Sequence, residues 1–297
     1  MKIITMSNKK FQLLKPLMIP NHILNTEASL FEFKYKGEDK LFKKLYINNG
    51  PNFGNKLYTL EMLDMNKKYL PDNFSLPDYL VSVAGVIQGF TVPKREGIEL
   101  STFLRTEKKD FKEDIYYLKK VGEILEQLEY IRKCTPLKSL YINDLHESNF
   151  IVNNDKRCVY VIDLDSCKIG ENQAFPSRFL VPNYLLKTCP NKYELTNNEI
   201  YGEHVKVDNN TDLYCYTIMI LNYLYGKNIS NMPILEFYEY LNYLSKIGID
   251  KELIDIFNNL VIEKDNINPT NYLDTITNEQ ICRSKEFVFK KTNKNLK

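Results

Sequence analysis

Between Leu30 and Ile47, two runs of β-forming residues flank a polar Lys36-Gly37-Glu38-Asp39 break, a pattern that predicts a hairpin. From Asn55 to Leu70 the period lengthens, and Leu57, Leu60, Met62, Leu63 and Met65 predict an amphipathic helix that Pro71 and Pro77 end. Asp78–Val92 is apolar and β-branched, which predicts two more strands, and Pro93–Gly97 breaks the pattern. Beyond the break the chain turns helical. Ile115, Leu118, Val121, Ile124, Leu125 and Leu128 form one stripe within Phe111–Lys133. A short β-like stretch covers Ser139–Ser166, an irregular stretch runs to about Asn210, and three helical segments follow at 211–226, 234–248 and 251–265. The expected fold is α+β. Residues 1–95 form a small β-rich lobe and residues 96–297 a larger, mainly helical one, with a ligand cleft between them.

Composition narrows the function classes. Lys and Arg number 40 against 38 Asp and Glu, so the basic excess of a dedicated nucleic-acid binder is missing. No apolar run reaches the 18 or so residues of a transmembrane helix. The N-terminus has no continuous apolar h-region, so no signal peptide is expected. The six cysteines are scattered, with no C-x-x-C pair. That suits reduced thiols and a cytoplasmic location rather than a disulfide frame or a zinc site. His22 and His204 show no ligand spacing. With 11 glycines in the chain, any phosphate-binding loop must manage with little glycine.

The chemistry concentrates in Ile142-Asn143-Asp144-Leu145-His146-Glu147-Ser148-Asn149. Fourteen residues after Asn149, an apolar strand delivers Asp163-Leu164-Asp165. This arrangement resembles the protein kinase-like superfamily. Asp144 and Asn149 match the ends of its catalytic loop, and Asp163 matches the Asp of its D-F-G motif. The resemblance implies that Asp144 orients the acceptor hydroxyl and takes its proton, and that Asn149 and Asp163 hold Mg²⁺ on ATP. Further matches span about residues 22–275. Leu41 and Lys43 resemble the A-x-K whose Lys grips the α- and β-phosphates, with Lys44 as the alternative. The helical partner of that Lys would be Glu61, with Asp64 as the other candidate. Gly89–Gly97 resembles the hinge strand, with Val92 beside the adenine; Pro93 has no N–H, so Arg95 becomes the backbone donor. Pro176–Asn183 resembles the end of an activation segment. Asp212 resembles the buried Asp that anchors the catalytic loop backbone, a role compatible with an ordinary first-turn acid.

The sequence also departs from the pattern. Leu24–Leu30 stands where a glycine-rich loop belongs and holds no glycine, and Glu27 there would repel a triphosphate. Asn143 replaces the Arg that commonly binds an activation-segment phosphate. Asn183 and Asn268 replace an ion pair and are expected to lie together. His146, either a phosphate contact or a structural hydrogen-bonder, and Asp165 resemble the small-molecule kinases of aminoglycoside and choline type. The basic tail Arg283–Lys297 reads as a frayed, solvated end. The first expectation is a bacterial-type Ser/Thr protein kinase acting on an unknown protein substrate, with ATP and Mg²⁺. A small-molecule kinase and a pseudokinase scaffold are the alternatives. The sequence specifies neither regulation nor oligomeric state.

Overall fold

The structure, a computed structural model, describes residues 1–17, 27–107, 110–170, 172–173, 209–229, 232–260 and 266–294. The fold is α+β. Strands β1 (Lys2–Met6), β2 (Ala28–Tyr35), β3 (Glu38–Leu45), β4 (Tyr79–Val83) and β5 (Val86–Pro93) form one sheet in the order β1-β4-β5-β3-β2. Every neighbouring pair is antiparallel except β1 with β4. The two hairpins turn through Lys36-Gly37 and Ala84-Gly85, all four residues with positive φ. That is the two-residue geometry whose twist matches the flanking strands. The first turn is two residues shorter than the polar break suggests, because Glu38 and Asp39 join β3.

Alternation along these strands gives two apolar faces. Ile4, Met6, Phe33, Phe42, Val81 and Val83 pack on one face, against Phe11 of the short helix α1 (Asn8–Gln12). Leu45 and Phe90 pack on the other, against Leu60 of helix α2 (Gly50–Asn66). Helix α2 starts five residues before the predicted span, with Pro51 in its first turn, where a missing N–H costs nothing. Its inward stripe is Lys56, Thr59, Leu60 and Leu63; Met65, predicted inward, is exposed.

The rest of the chain is mainly helical. β6 (Ile98–Glu99), β7 (Phe150–Asn153) and β8 (Cys158–Val161) form a small sheet beside α3 (Leu100–Arg105) and α4 (Lys112–Cys134). The short strands β9 (Lys168–Ile169) and β10 (Asn172–Gln173) pair with each other. Helices α5 (Asn209–Tyr225), α6 (Ile234–Lys246), α7 (Lys251–Asn259) and α8 (Asn278–Lys294) complete the described chain, with a 3₁₀ segment at Pro269–Thr275. All six apolar residues of the predicted 115–128 stripe are buried in the large core. The expectation of a frayed tail fails at its start. Ser284 of α8 is buried, donates to the Leu224 carbonyl at 2.8 Å and lies 2.6 Å from the Tyr240 hydroxyl.

One covalent crossing, the predicted break at 93–97, joins the sheet to the helical part. The 70–78 segment, between α2 and β4, adds a hydrogen-bonded link to β8: Ser75 N–H donates to the Val161 carbonyl at 2.8 Å, and Val161 N–H to the Asn73 carbonyl at 2.9 Å. Arg95 ties the two segments together. It donates to the Ser75 hydroxyl and to the carbonyls of Asp72 and Phe74, and its guanidinium lies over the Tyr160 ring.

Candidate functional site

The β7–β8 hairpin explains why residues fourteen apart in sequence meet. Phe150 pairs with Val161, so Asn149 and Asp163 leave the same end of the hairpin, and Ile162 N–H donates to the Asn149 carbonyl at 2.9 Å. Asn149 is buried. Its Nδ2 donates to the Asp144 carbonyl at 2.7 Å, which directs its Oδ1 elsewhere. Asp163 has φ 64° and Asn143 φ 68°. Left-handed backbone is costly outside glycine, least so for Asn and Asp. A buried carboxylate holds the loop in this shape: Asp212 of α5 accepts Ile142 N–H at 2.9 Å and Asn143 N–H at 3.0 Å. Asn143 Nδ2 donates to the Ser166 carbonyl, closing the loop on the 163–166 segment.

Asp144 and His146 form the outer part of the loop. His146 Nδ1 accepts Ser148 N–H at 3.2 Å, so Nε2 carries the proton and faces Asp144 at 3.7 Å. Burial alone would raise the Asp144 carboxyl, but the nearby His146, with the Asn149 amide that donates to it, holds it below its ordinary range. Burial likewise opposes charge on His146, and Asp144 overrides it, so the imidazole ionises above its ordinary value. A cavity of about 20 Å³ adjoins Asp144, His146, Tyr214 and Met219. It has room for about one water.

Opposite the loop, Lys43 projects from β3 on the face that carries Leu41, Val92 and Phe90, as strand alternation and register require. Lys44 takes the other face, near the Phe11 ring. Lys43 Nζ is buried and hydrogen-bonded to Asp163; Asp165 lies at 2.9 Å and Glu27 at 3.4 Å. The structure does not bring Glu61 to this lysine, because the Glu61 side chain is exposed. Lys56 occupies the inward helical position instead, and five residues on a helix turn a side chain about 140° away. Asp64 is also elsewhere, paired with the Met1 amino group and Lys67. Lys56 bonds Asp165 at 2.7 Å and pairs with Glu27.

Two buried ammonium groups thus face three carboxylates. Burial disfavours charge on Lys43, yet the carboxylates keep it protonated well above its ordinary range. Burial also disfavours charge on Asp165, but both lysines hold it well below the carboxylate range. Asp163 moves the other way. Burial and the charges of Asp165 and Glu27 outweigh Lys43, which makes it easier to protonate than an ordinary Asp.

Among the described residues no cluster of three or more His, Cys, Asp or Glu could hold a metal. A cation in this cleft would take oxygens from Asp163 and Asn149 and complete its shell with substrate oxygens and water, the donor pattern of Mg²⁺. The partly exposed Asp163 carboxylate fits that pattern, and Asn149, whose Nδ2 is spent on the Asp144 carbonyl, has Oδ1 as its other polar atom. Val92 lies on the Lys43 face of β5, and the Arg95 side chain is bonded to residues 72–75, a contact separate from the backbone N–H expected to face the adenine. Asn183 lies outside the described residues, as do Pro176–Pro182, and its proximity to Asn268 is not at issue. Asn268 itself caps the 269–275 segment through Thr270 N–H. No helix among the described residues is long and apolar enough to cross a membrane. The sequence matches no protein-family model and no curated protein.

Sequence reasoning missed Lys56. A lysine interrupts an apolar stripe and reads as a surface position. The available signal was the i, i+3, i+4, i+7 set Lys56-Thr59-Leu60-Leu63, together with an acidic Asp165 in an apolar segment that needs a cation.

Proposed function

We propose that this chain is an ATP-dependent phosphotransferase of bilobal, protein kinase-like architecture that transfers a phosphoryl group to a Ser or Thr hydroxyl of a protein. The observation that carries the reading is the meeting of Lys43, Asp144, Asn149 and Asp163 in one cleft, with Asp212 gripping the backbone of the loop between them. Phosphoryl transfer asks the protein for positioning and charge more than for covalent chemistry. Asp144, ionised at neutral pH, accepts the acceptor's hydroxyl proton. The freed oxygen bonds the γ-phosphorus while the bond from that phosphorus to the ADP oxygen breaks, and ADP leaves with the electron pair. Lys43, protonated throughout, neutralises the phosphates. Asn149 and Asp163 would hold Mg²⁺, which supplies charge neutralisation to the phosphoryl oxygens. The Asp212 anchor keeps Asp144 in place without reorganisation.

One observation favours a second reading, a nucleotide-free scaffold: both cleft lysines are already paired with the protein's own carboxylates. Intact mass after incubation with Mg-ATP separates the two. Phosphate added to the wild-type chain and absent from Asp163→Ala supports transfer. No added mass, with no Mg-ATP binding, supports the scaffold.

A further inference from the structure

Lys56 is buried, and a buried ammonium is costly unless opposed by charge. Its two carboxylate partners differ in one respect. Asp165 is sealed in, at 1% side-chain exposure, whereas Glu27 stands at the mouth of the cleft at 31%. Glu27 also reaches Lys43 Nζ at 3.4 Å, so one carboxylate bridges both ammonium groups as the oxygens of a polyphosphate would. It does so from the strand-end segment that lacks glycine, where backbone N–H groups are least able to approach a phosphate. We propose that Lys56 is a second phosphate-binding residue, and that Glu27 is a built-in anion which occupies the two lysines until a nucleoside triphosphate displaces it. This inference rests on the phosphotransferase reading.

The charge balance supports the exchange. With Glu27 in place, two positive groups face three negative ones, and an incoming polyphosphate is repelled. With Glu27 swung outward the cluster is neutral, and the charge of the accompanying Mg²⁺ is left to oppose the phosphates. A second lysine would then supply the anion contact that a glycine-rich loop supplies by backbone.

The test is calorimetric affinity for Mg-ATP in the full chain, with far-ultraviolet circular dichroism to check folding. Glu27→Gln removes the competing charge and is expected to tighten binding by about tenfold, the scale of one charge-assisted hydrogen bond. Lys56→Met is expected to weaken it by about tenfold or more, with Lys56→Arg recovering part of the loss. Should Lys56→Met fail to fold with Asp165 stranded, Glu27→Gln decides alone, because Gln keeps the shape of the partly exposed Glu27 and Asp165 still opposes both lysines. Wild-type binding that Glu27→Gln leaves unchanged or weakens overturns the inference and leaves the phosphotransferase reading standing. No Mg-ATP binding by either wild type or Glu27→Gln overturns both.

Discussion

His146 and Asp144 titrate as partners. Asp144 raises the ionisation of the imidazole above the ordinary 6.5. The charged pair therefore stabilises the fold fully below about pH 6.5, and that contribution is lost as pH rises through the folded value. The NMR titration of His146 is expected to centre above 6.5 and to move down in Asp144→Asn, where burial loses its main opponent. A midpoint indifferent to that substitution would contradict the pairing. Asp163 and Asp165 both serve as counter-charges to buried Lys43. Asp163→Asn keeps the side-chain shape, and Asn tolerates the left-handed backbone, so the fold is expected to survive while phosphoryl transfer is abolished. Asp165 is held well below the carboxylate range, so its contribution is present at neutral pH and is lost only in strong acid. Asp165→Asn strips a buried partner from two lysines and should cost about 3–5 kcal/mol in denaturant unfolding at pH 7.

Two glycines show how helices set the sign of a mutation. Gly122 of α4 lets the 269–275 segment approach: an added Cβ would stand 1.7 Å from Thr270 Oγ1 and 2.7 Å from the Tyr216 hydroxyl. Gly54 of α2 is exposed, and a Cβ there meets nothing within 4 Å. Thermal unfolding should show Gly122→Ala destabilised by about 1–3 kcal/mol. Gly54→Ala should gain about 1 kcal/mol from helix propensity. At this scale much was legible in the sequence. The Lys36-Gly37 turn marked the first hairpin, and the 115–128 stripe marked α4, because period and turn chemistry are local. The phase of α2 was not, since its inward face is headed by a lysine whose counter-charge lies 109 residues away at Asp165. An apolar-period reading put Glu61 inward by favouring Met62 and Met65, and the packed helix turned by a fraction of a turn. Strand β1 was missed for a similar reason: its parallel partner β4 lies far along the chain.

Across the whole molecule, the site joins segments that no period connects. Glu27, Lys43, Lys56, Asp144, Asp163 and Asp212 come from different parts of the chain; the resemblance across about residues 22–275 pointed to Lys43, Asp144, Asp163 and Asp212, but not to Lys56 or to Glu27 as a partner of the lysines. Helix α2 belongs to two cores: Leu60 packs under the sheet, and Leu63 in the large core. The stitched segment at 70–78 has a mechanical consequence. A body held to another at two places, here the Asn73–Ser75 attachment to β8 and the 93–97 crossing, tied together by Arg95, resists swivelling. The lysine–carboxylate cluster adds an ionic tie, with Lys43 of β3 and Lys56 of α2 on one hand and Asp163 and Asp165 after β8 on the other. Unlike the backbone stitches, that tie depends on charge, so an anion that competes for the lysines loosens it and leaves the stitches intact.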